Sequence, residues 1–322
     1  MAKEKQTGGK KRITGARIAK EIRQYKKDVF LSPMYTTFCV ILEILIPYLT
    51  ASIIDKGIAV GDMGHVARIG ALMAVMAVLA MFCGMRAGIH SARASTGLAS
   101  NLRESMFARI QDYSFSNIDK FSTAGLVTRL TTDVTNIQNA FQMLLMICTR
   151  APVTLIVALF MAFSISARLS LIFLAAMAFL AVMLIIFIPK AMGYFKQMFK
   201  KYDKVNGVVK ENVGAIRVVK AFVREDYEDQ KFSDAAGELF QNSISAERII
   251  SFNMPIMQLT VYSCILLISW FGAKMIVNQT GLTTGELTSL LSYVMNILMS
   301  LMMLSMVLVM VTQSAAAAQR IE

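Results

Sequence analysis

The chain predicts an all-α membrane protein: six long transmembrane helices with cytoplasmic extensions, joined at the cytoplasmic end by two helical hairpins. Three observations carry this. Six apolar stretches each run for about 20 residues or more, enough at about 1.5 Å per residue to cross a hydrocarbon core of about 30 Å. The connections alternate between a few residues and about 50 to 60. Lysine and arginine crowd into the N-terminus and the long connections, the positive-inside pattern.

The spans are expected near Met34–Ile54, Val66–Ile89, Phe141–Ser164, Leu169–Pro189, Met254–Val277 and Glu286–Thr312. The short connections, Lys56–His65, Ser166–Arg168 and Asn278–Gly285, carry few cations and are assigned to the outer side. The long ones, Arg86–Asn139 and Lys190–Asn253, fall inside, with both chain termini. Neither contains proline, and both hold helical periodicity: Leu98, Leu102, Met106 and Ile110 in the first, Val205, Val209 and Val213 in the second. They are therefore expected to be continuations of the second to fifth spans. A helix from Val66 to about Gln111 would be roughly 70 Å long. Pro47 and Pro152 fall within spans, where they are expected to kink the helices.

Composition excludes several classes. Hydrophobic residues make up 56% of 322, charged residues 17%, and the mean hydropathy is +0.55, which is too apolar for a soluble domain. The net charge of +12 is concentrated in ten cations between Lys3 and Lys27 and in the long connections, with no interleaved stacking aromatics. That distribution fits a cytoplasmic membrane surface with anionic lipid better than nucleic acid. Cys39, Cys83, Cys148 and Cys264 lie singly within apolar runs, so neither a disulfide framework nor a metal site is expected. The two histidines, His65 and His90, belong to no catalytic or zinc motif. The segment from Arg17 to Phe30 is expected to form a basic amphipathic helix on the inner surface. The organisation is thus residues 1–30 as basic segment and elbow helix, 31–314 as six-helix domain with cytoplasmic hairpins at 90–139 and 190–253, and 315–322 as the start of a linker.

Each hairpin turns at a polar-aromatic tip, one at Tyr113–Phe121 and one at Arg217–Glu225. Aromatics at such tips read either as docking knobs or as packing within the hairpin. At these tips the sequence resembles the exporter-type transmembrane domain of ABC transporters. Leu126-Val-Thr-Arg-Leu-Thr-Thr-Asp-Val134 is similar to that family's L-x-S-R-L-T-N-D-V segment. Glu211-Asn-Val-Gly-Ala-Ile-Arg-Val-Val-Lys-Ala-Phe-Val-Arg-Glu225 is similar to E-x-x-x-G-I-R-V-V-K-A-F-x-x-E, and Arg103 with Phe107 resembles L-R-x-x-L-F. The chain departs from the pattern at Ala124-Gly125, where an acidic residue is usual, and at Ala215, where glycine is usual.

The resemblance implies a multidrug- or lipid-exporter-like half that pairs with a second half into a dimer, a heterodimer being favoured by those departures. It implies that Phe115, Asn117, Ile118, Asp119 and Phe121 at the first tip, and Arg217, Lys220, Phe222 and Glu225 at the second, couple to nucleotide-binding domains. Those domains would hold Mg-ATP. This sequence has no G-x-x-x-x-G-K-[ST] loop, so no catalytic residue and no cofactor is assigned to it, and the nucleotide-binding domain is expected elsewhere. A small amphipathic substrate and a bacterial plasma membrane complete the expectation.

Two groups are candidates for the substrate path. Glu43 and Arg150 are charged residues inside spans, about 12 and 14 residues from the outer ends, so they lie at nearly one depth. They read either as cavity-lining groups or as an interhelical staple. Met295, Met299, Met302, Met306 and Met310 form one stripe on the sixth span, flanked by Ser292 and Asn296. Flexible thioethers suit varied apolar ligands, yet methionine is abundant here, at 24 residues, and lipid-facing or packing roles stand equally. The alternative to an ATP-driven exporter is a secondary transporter or channel. That class leads one to expect broken helices or an acidic ion-coupling cluster, and only Glu43 points that way. A membrane enzyme has no motif in its favour.

Overall fold

The computed structural model describes residues 20–113 and 123–321, and these are helical almost throughout, with no strand among them. A single 3-10 turn at Arg23–Tyr25 leads into α1, Lys26–Ser52, whose last turns widen into a π-helical segment at Ile53–Ile58. The other elements are α2, Met63–Gln111; α3, Thr123–Thr128; a π-helical segment at Arg129–Asp133; α4, Val134–Ile165; α5, Ala167–Gly214; α6, Ile216–Ala221; α7, Glu225–Val277; and α8, Thr284–Ile321. Six of these stretches are long and apolar enough to cross a bilayer: Arg23–Ile58, Met63–Gln111, Gly125–Ile165, Ala167–Phe187, Met254–Val277 and Thr284–Leu304. The chain is an integral, multi-pass membrane protein.

The helices are as long as the periodicity requires. α2 has 49 residues, α5 48 and α7 53. Prolines 33, 47, 152, 189 and 255 all lie inside helices, and none of those helices ends there. In a bilayer a helix has no competing solvent for its freed carbonyls, so neighbours must supply the missing donors. Asp62 caps α2 by accepting from the His65 N–H at 3.0 Å.

The chain divides into two compact units. The first comprises residues up to Ser170 together with those from Ile268 onward. In it α1 packs on α2 and α4, and α8 packs on α4 and α1. A core of Leu98, Ala99, Leu102, Val134 and Ile137 joins the extension of α2 to the start of α4. Ile22, Met106 and Phe141 pack around it, as do Ala318 and Ile321 from the end of α8. Arg103, one of the residues in the family resemblance, fastens the same junction: its Nε donates to the Leu130 carbonyl at 3.2 Å and its Nη2 to Thr135 Oγ1 at 3.2 Å. The π-helical segment there offers carbonyls outside the regular pattern, and the guanidinium answers one of them.

The second unit, residues 171–267, is built on α5, α6 and α7. Polar links tie α5 and α7 together beyond their apolar spans. Glu238 accepts from Lys201 at 2.7 Å and Lys204 at 3.0 Å, Glu211 from Lys231 at 2.9 Å, and Glu228 from Asn212 at 3.4 Å. The Lys201 and Lys204 ammonium groups hold the Glu238 carboxyl below the usual range, and the Glu211 carboxylate raises Lys231.

One expectation is corrected in detail, and another lies partly outside the described residues. Of the stripe read as Val205, Val209 and Val213, only Val205 is half-buried; Val209 and Val213 are exposed, and the buried residue is Val208. The elbow helix expected over Arg17–Phe30 begins outside the described residues. Glu21 and Ile22 form a turn, Arg23–Tyr25 a 3-10 turn, and Lys26 already starts α1. The turn is set by Arg23, at φ 40°, and by Tyr25, whose ring lies flush on Gly97. A Cβ at Gly97 would stand 2.2 Å from that ring, so the glycine permits the contact. Asn101 adds a bond from its Nδ2 to the Glu21 carbonyl at 2.6 Å.

Candidate functional site

Sequence depth placed Glu43 and Arg150 at one level, and the fold brings them together. α1 carries Glu43 and α4 carries Arg150, and Arg150 Nη2 donates to Glu43 Oε2 at 2.5 Å. The thiol of Cys39, one turn before Glu43, donates to Oε1 at 3.3 Å. Both charged side chains remain 41% exposed. The pair joins α1 to α4 and is only part-buried. Pro47, one turn on, has no N–H to give the Glu43 carbonyl, which loosens α1 beside the pair.

On α8 the expected stripe divides. Met295 and Met299 are exposed, Met302 is half-buried, and the side chains of Met306 and Met310 lie outside the described residues. Asn296 is exposed and Ser292 half-buried, and each bonds back to a carbonyl of its own helix. The opposite face is fully packed: Leu290, Tyr293, Val294 and Ile297 are all at most 2% exposed. The stripe thus lies on a side of α8 that this unit leaves uncovered.

Of the two tips, the first, with Phe115, Asn117, Ile118, Asp119 and Phe121, lies outside the described residues. The second is a helix of its own. α5 ends at Gly214, Ala215 breaks the helical backbone at φ −107°, and α6 runs from Ile216 to Ala221. Val219 is its buried contact. Arg217, Lys220 and Phe222 face solvent, as do Val218 and Val223. Arg224 N–H bonds the Val219 carbonyl at 3.0 Å and Val223 N–H the Lys220 carbonyl at 3.4 Å, closing the helix in a Schellman arrangement. Its left-handed position is held by Val223, at φ 52°, a β-branched residue where glycine is usual, at a cost of about 1–2 kcal/mol. Glu225 opens α7 and accepts from Lys220 at 3.0 Å; that bond and the N–H groups at the helix start hold its carboxyl below the usual range. Beside α6 is a cleft of about 520 Å³, lined by residues including Glu211, Asn212, Phe222, Arg224 and Tyr227, with Arg224 over the Tyr227 ring. Val218, Phe222 and Val223 form an exposed apolar crest next to this cleft.

The sequence reading missed the polar contacts between α1 and α8. Asp55 Oδ1 accepts from the Gly285 N–H at 2.9 Å and Oδ2 from the Thr283 hydroxyl at 2.6 Å. Ser289 donates to the Pro47 carbonyl at 2.6 Å, and the buried Tyr293 hydroxyl to the Ile44 carbonyl at 3.2 Å. It also missed His90, whose Nδ1 lies 2.6 Å from Asp28 and whose ring stacks on Tyr35. These partners are up to 249 residues apart, and no local pattern marks them. Among the described residues, no cluster of three or more His, Cys, Asp or Glu is arranged to hold a metal ion.

The sequence matches the family described as ABC transporter transmembrane region over residues 29–302. Among similar proteins is an uncharacterized ABC transporter ATP-binding protein of Bacillus subtilis, 32% identical over 237 residues, covering 74% of this chain and 41% of that protein. A protein of the same description from Mycobacterium tuberculosis is 30% identical over 261 residues, 81% of this chain and 45% of its own length. An ATP-dependent lipid A-core flippase of Albidiferax ferrireducens is 24% identical over 279 residues, 85% of this chain and 47% of its own. The chain thus spans about half the length of the curated relatives it matches. With six spans, long helical extensions and a separate tip helix at the position of the motif, the chain belongs to the transmembrane-region family of ABC transporters.

Proposed function

We propose that the chain forms one half of the translocation path of an ATP-driven exporter for small amphipathic solutes. In this reading it sits in a bacterial plasma membrane with both termini cytoplasmic, paired with a second transmembrane half, a heterodimer being favoured. Nucleotide-binding domains holding Mg-ATP bind the tips, with Phe222, Arg217 and Lys220 at the contact and Glu225 bracing Lys220. Glu43 and Arg150 line the path, with Met295, Met299 and Met302 as an adaptable apolar wall beside Ser292 and Asn296. The observation that carries the reading is α6. A six-residue helix held apart by Ala215, showing Phe222 and Val223 to solvent, is a poor element for a membrane anchor and a suitable handle for a cytoplasmic motor.

Inverted vesicles from cells expressing the complete transporter test this directly. ATP is expected to drive uptake of a fluorescent amphipathic cation, and a non-hydrolysable analogue is expected to abolish it. Glu43→Gln is expected to alter uptake of the cation while the protein stays at its normal membrane level. Uptake that ignores ATP and follows a proton gradient would overturn the exporter reading in favour of a secondary transporter.

A further inference from the structure

The contact of His90 with Asp28 fixes the register of α1 on α2. Along the same antiparallel pair, Tyr25 lies on Gly97 and Ser32 Oγ donates to the Ala87 carbonyl at 3.1 Å. At about 100° per residue, Arg86 and Arg93 lie about 40° and about 60° to one side of His90 around α2, and Ser91 about 100° to the other. Ser91 is the residue that meets α4, donating to the Gln142 carbonyl at 3.3 Å. Arg86 and Arg93 therefore turn away from α4, and both are exposed. Lys27 lies about 100° from Asp28 around α1. Because the helices are antiparallel, that rotation carries it to the same side as the two arginines, where it too is exposed. Three cations from two helices thus border one side of the α1–α2 contact.

Their charge is not spent within the protein. The neighbouring carboxylates are taken by other groups: Asp28 by His90 at 2.6 Å, and Glu21 and Glu104 by Arg23 at 2.9 Å and 3.5 Å. Among the described residues, Lys27, Arg86 and Arg93 have no acidic partner. Depth gives the three cations a place in the membrane. Counted from Met63, where α2 begins, Arg86 lies about 35 Å and Arg93 about 45 Å along the helix. Those depths bracket the far headgroup layer of a bilayer about 40–45 Å thick overall.

Toward the middle of the membrane the same face of α2 is apolar and bare. Leu72, Val75, Leu79 and Phe82 recur at three and four residues, and all are between 45% and 56% exposed. They stay within about 40° of Arg86 around the helix and form a stripe about 15 Å long, the depth of one leaflet. The Arg86 guanidinium stands over the Phe82 ring, 5.2 Å from its centroid, so a positive charge sits where the stripe ends.

We propose that Lys27, Arg86 and Arg93 form a binding site for an anionic phospholipid, with its phosphodiester beside the α1–α2 contact and one acyl chain along the stripe on α2. Guanidinium forks suit phosphate oxygens, and the lysine adds a point charge. In the orientation proposed above, the lipid belongs to the inner leaflet. Its recognition needs only a bilayer around the six spans, so it stands or falls separately from ATP-driven export.

Native mass spectrometry of the complete transporter in detergent, titrated with dioleoylphosphatidylglycerol or dioleoylphosphatidylcholine, tests the site. The parent is expected to hold the anionic lipid more tightly. A basic residue at an anionic membrane surface is worth about fivefold in affinity. The double variant Arg86→Gln with Arg93→Gln is therefore expected to weaken the tightest phosphatidylglycerol about thirtyfold, and Lys27→Gln about fivefold. Phosphatidylcholine binding is expected to stay the same in both. Arg68→Gln, which removes an exposed cation near the other end of α2, is expected to match the parent. Displacement of the lipid by an equal concentration of inorganic phosphate would overturn the lipid in favour of a free phosphate. Unchanged phosphatidylglycerol binding in both the arginine and the Lys27 variants, or an equal loss in Arg68→Gln, would also overturn the site. Equal binding of the two lipids by the parent would do the same, leaving this face of α2 to unselective lipid or to the second transmembrane half.

Discussion

At the scale of single residues, the informative side chains are those placed where a bilayer penalises them. Glu43 and Arg150 were legible because charge inside an apolar run is rare and because counting from the span ends gave their depth. Their meeting at 2.5 Å follows from α1 and α4 being neighbours, which depth alone does not determine. Removing one partner leaves the other charge poorly solvated, but at 41% exposure water offsets much of that. Glu43→Gln and Arg150→Gln are each expected to cost about 1–2 kcal/mol, and the double variant clearly less than their sum. Thermal unfolding of the four proteins in detergent measures that coupling, and additive losses would show that the pair does not interact in solution. Asp55 and Gly285 were not legible, since a carboxylate at the end of a span and a glycine near a helix start are ordinary features. Only folding reveals that they touch across 230 residues.

At the scale of elements, helix existence was read well and helix faces less well. A step of four residues turns a helix by about 40° beyond a full circle, so a run of fours drifts off any one face. On α2 the drift is visible: Leu98 and Leu102 are buried while Met106 and Ile110 are only partly so. On α5 it carries Val209 and Val213 into solvent, and the face is held instead by Val205 and Val208. The polar links between α5 and α7 make this hairpin sensitive to acid. The folded carboxyl of Glu238 titrates below its ordinary value of about 4.3, so its link to Lys201 and Lys204 contributes stability above that value. The contribution fades as pH falls through the lowered folded value. The hydrogen-exchange protection of the hairpin, corrected for the intrinsic pH dependence of amide exchange, is expected to fall as the pH drops from about 6 to about 3, and Glu238→Gln is expected to flatten that dependence. An unchanged profile in the variant would mean the link contributes nothing.

At the scale of the whole molecule, the class and the number of spans followed from hydrophobic length and charge distribution, which are properties of the solvent as much as of the fold. What stayed hidden was the division into two compact units and the seam between α1 and α8. Both depend on which helices pack together, and apolar surface is equally at ease against lipid or against another helix. The proposed topology makes a simple demand. A cysteine at Gln279 is expected to react with an impermeant reagent on intact cells, and one at Val223 only after the membrane is opened. Reaction of Val223→Cys on intact cells would invert the orientation. One further consequence belongs to α2, which has 49 residues and no proline, whereas α1, α4, α5 and α7 each contain one or more. Such a helix behaves as a strut: about 74 Å long, it tilts by only about 4° when one end is pushed sideways by a helical pitch of about 5.4 Å. Small angular changes along this rod become displacements of side-chain size at its far end, so its stiffness sets how faithfully a force applied on one side of the membrane is felt on the other.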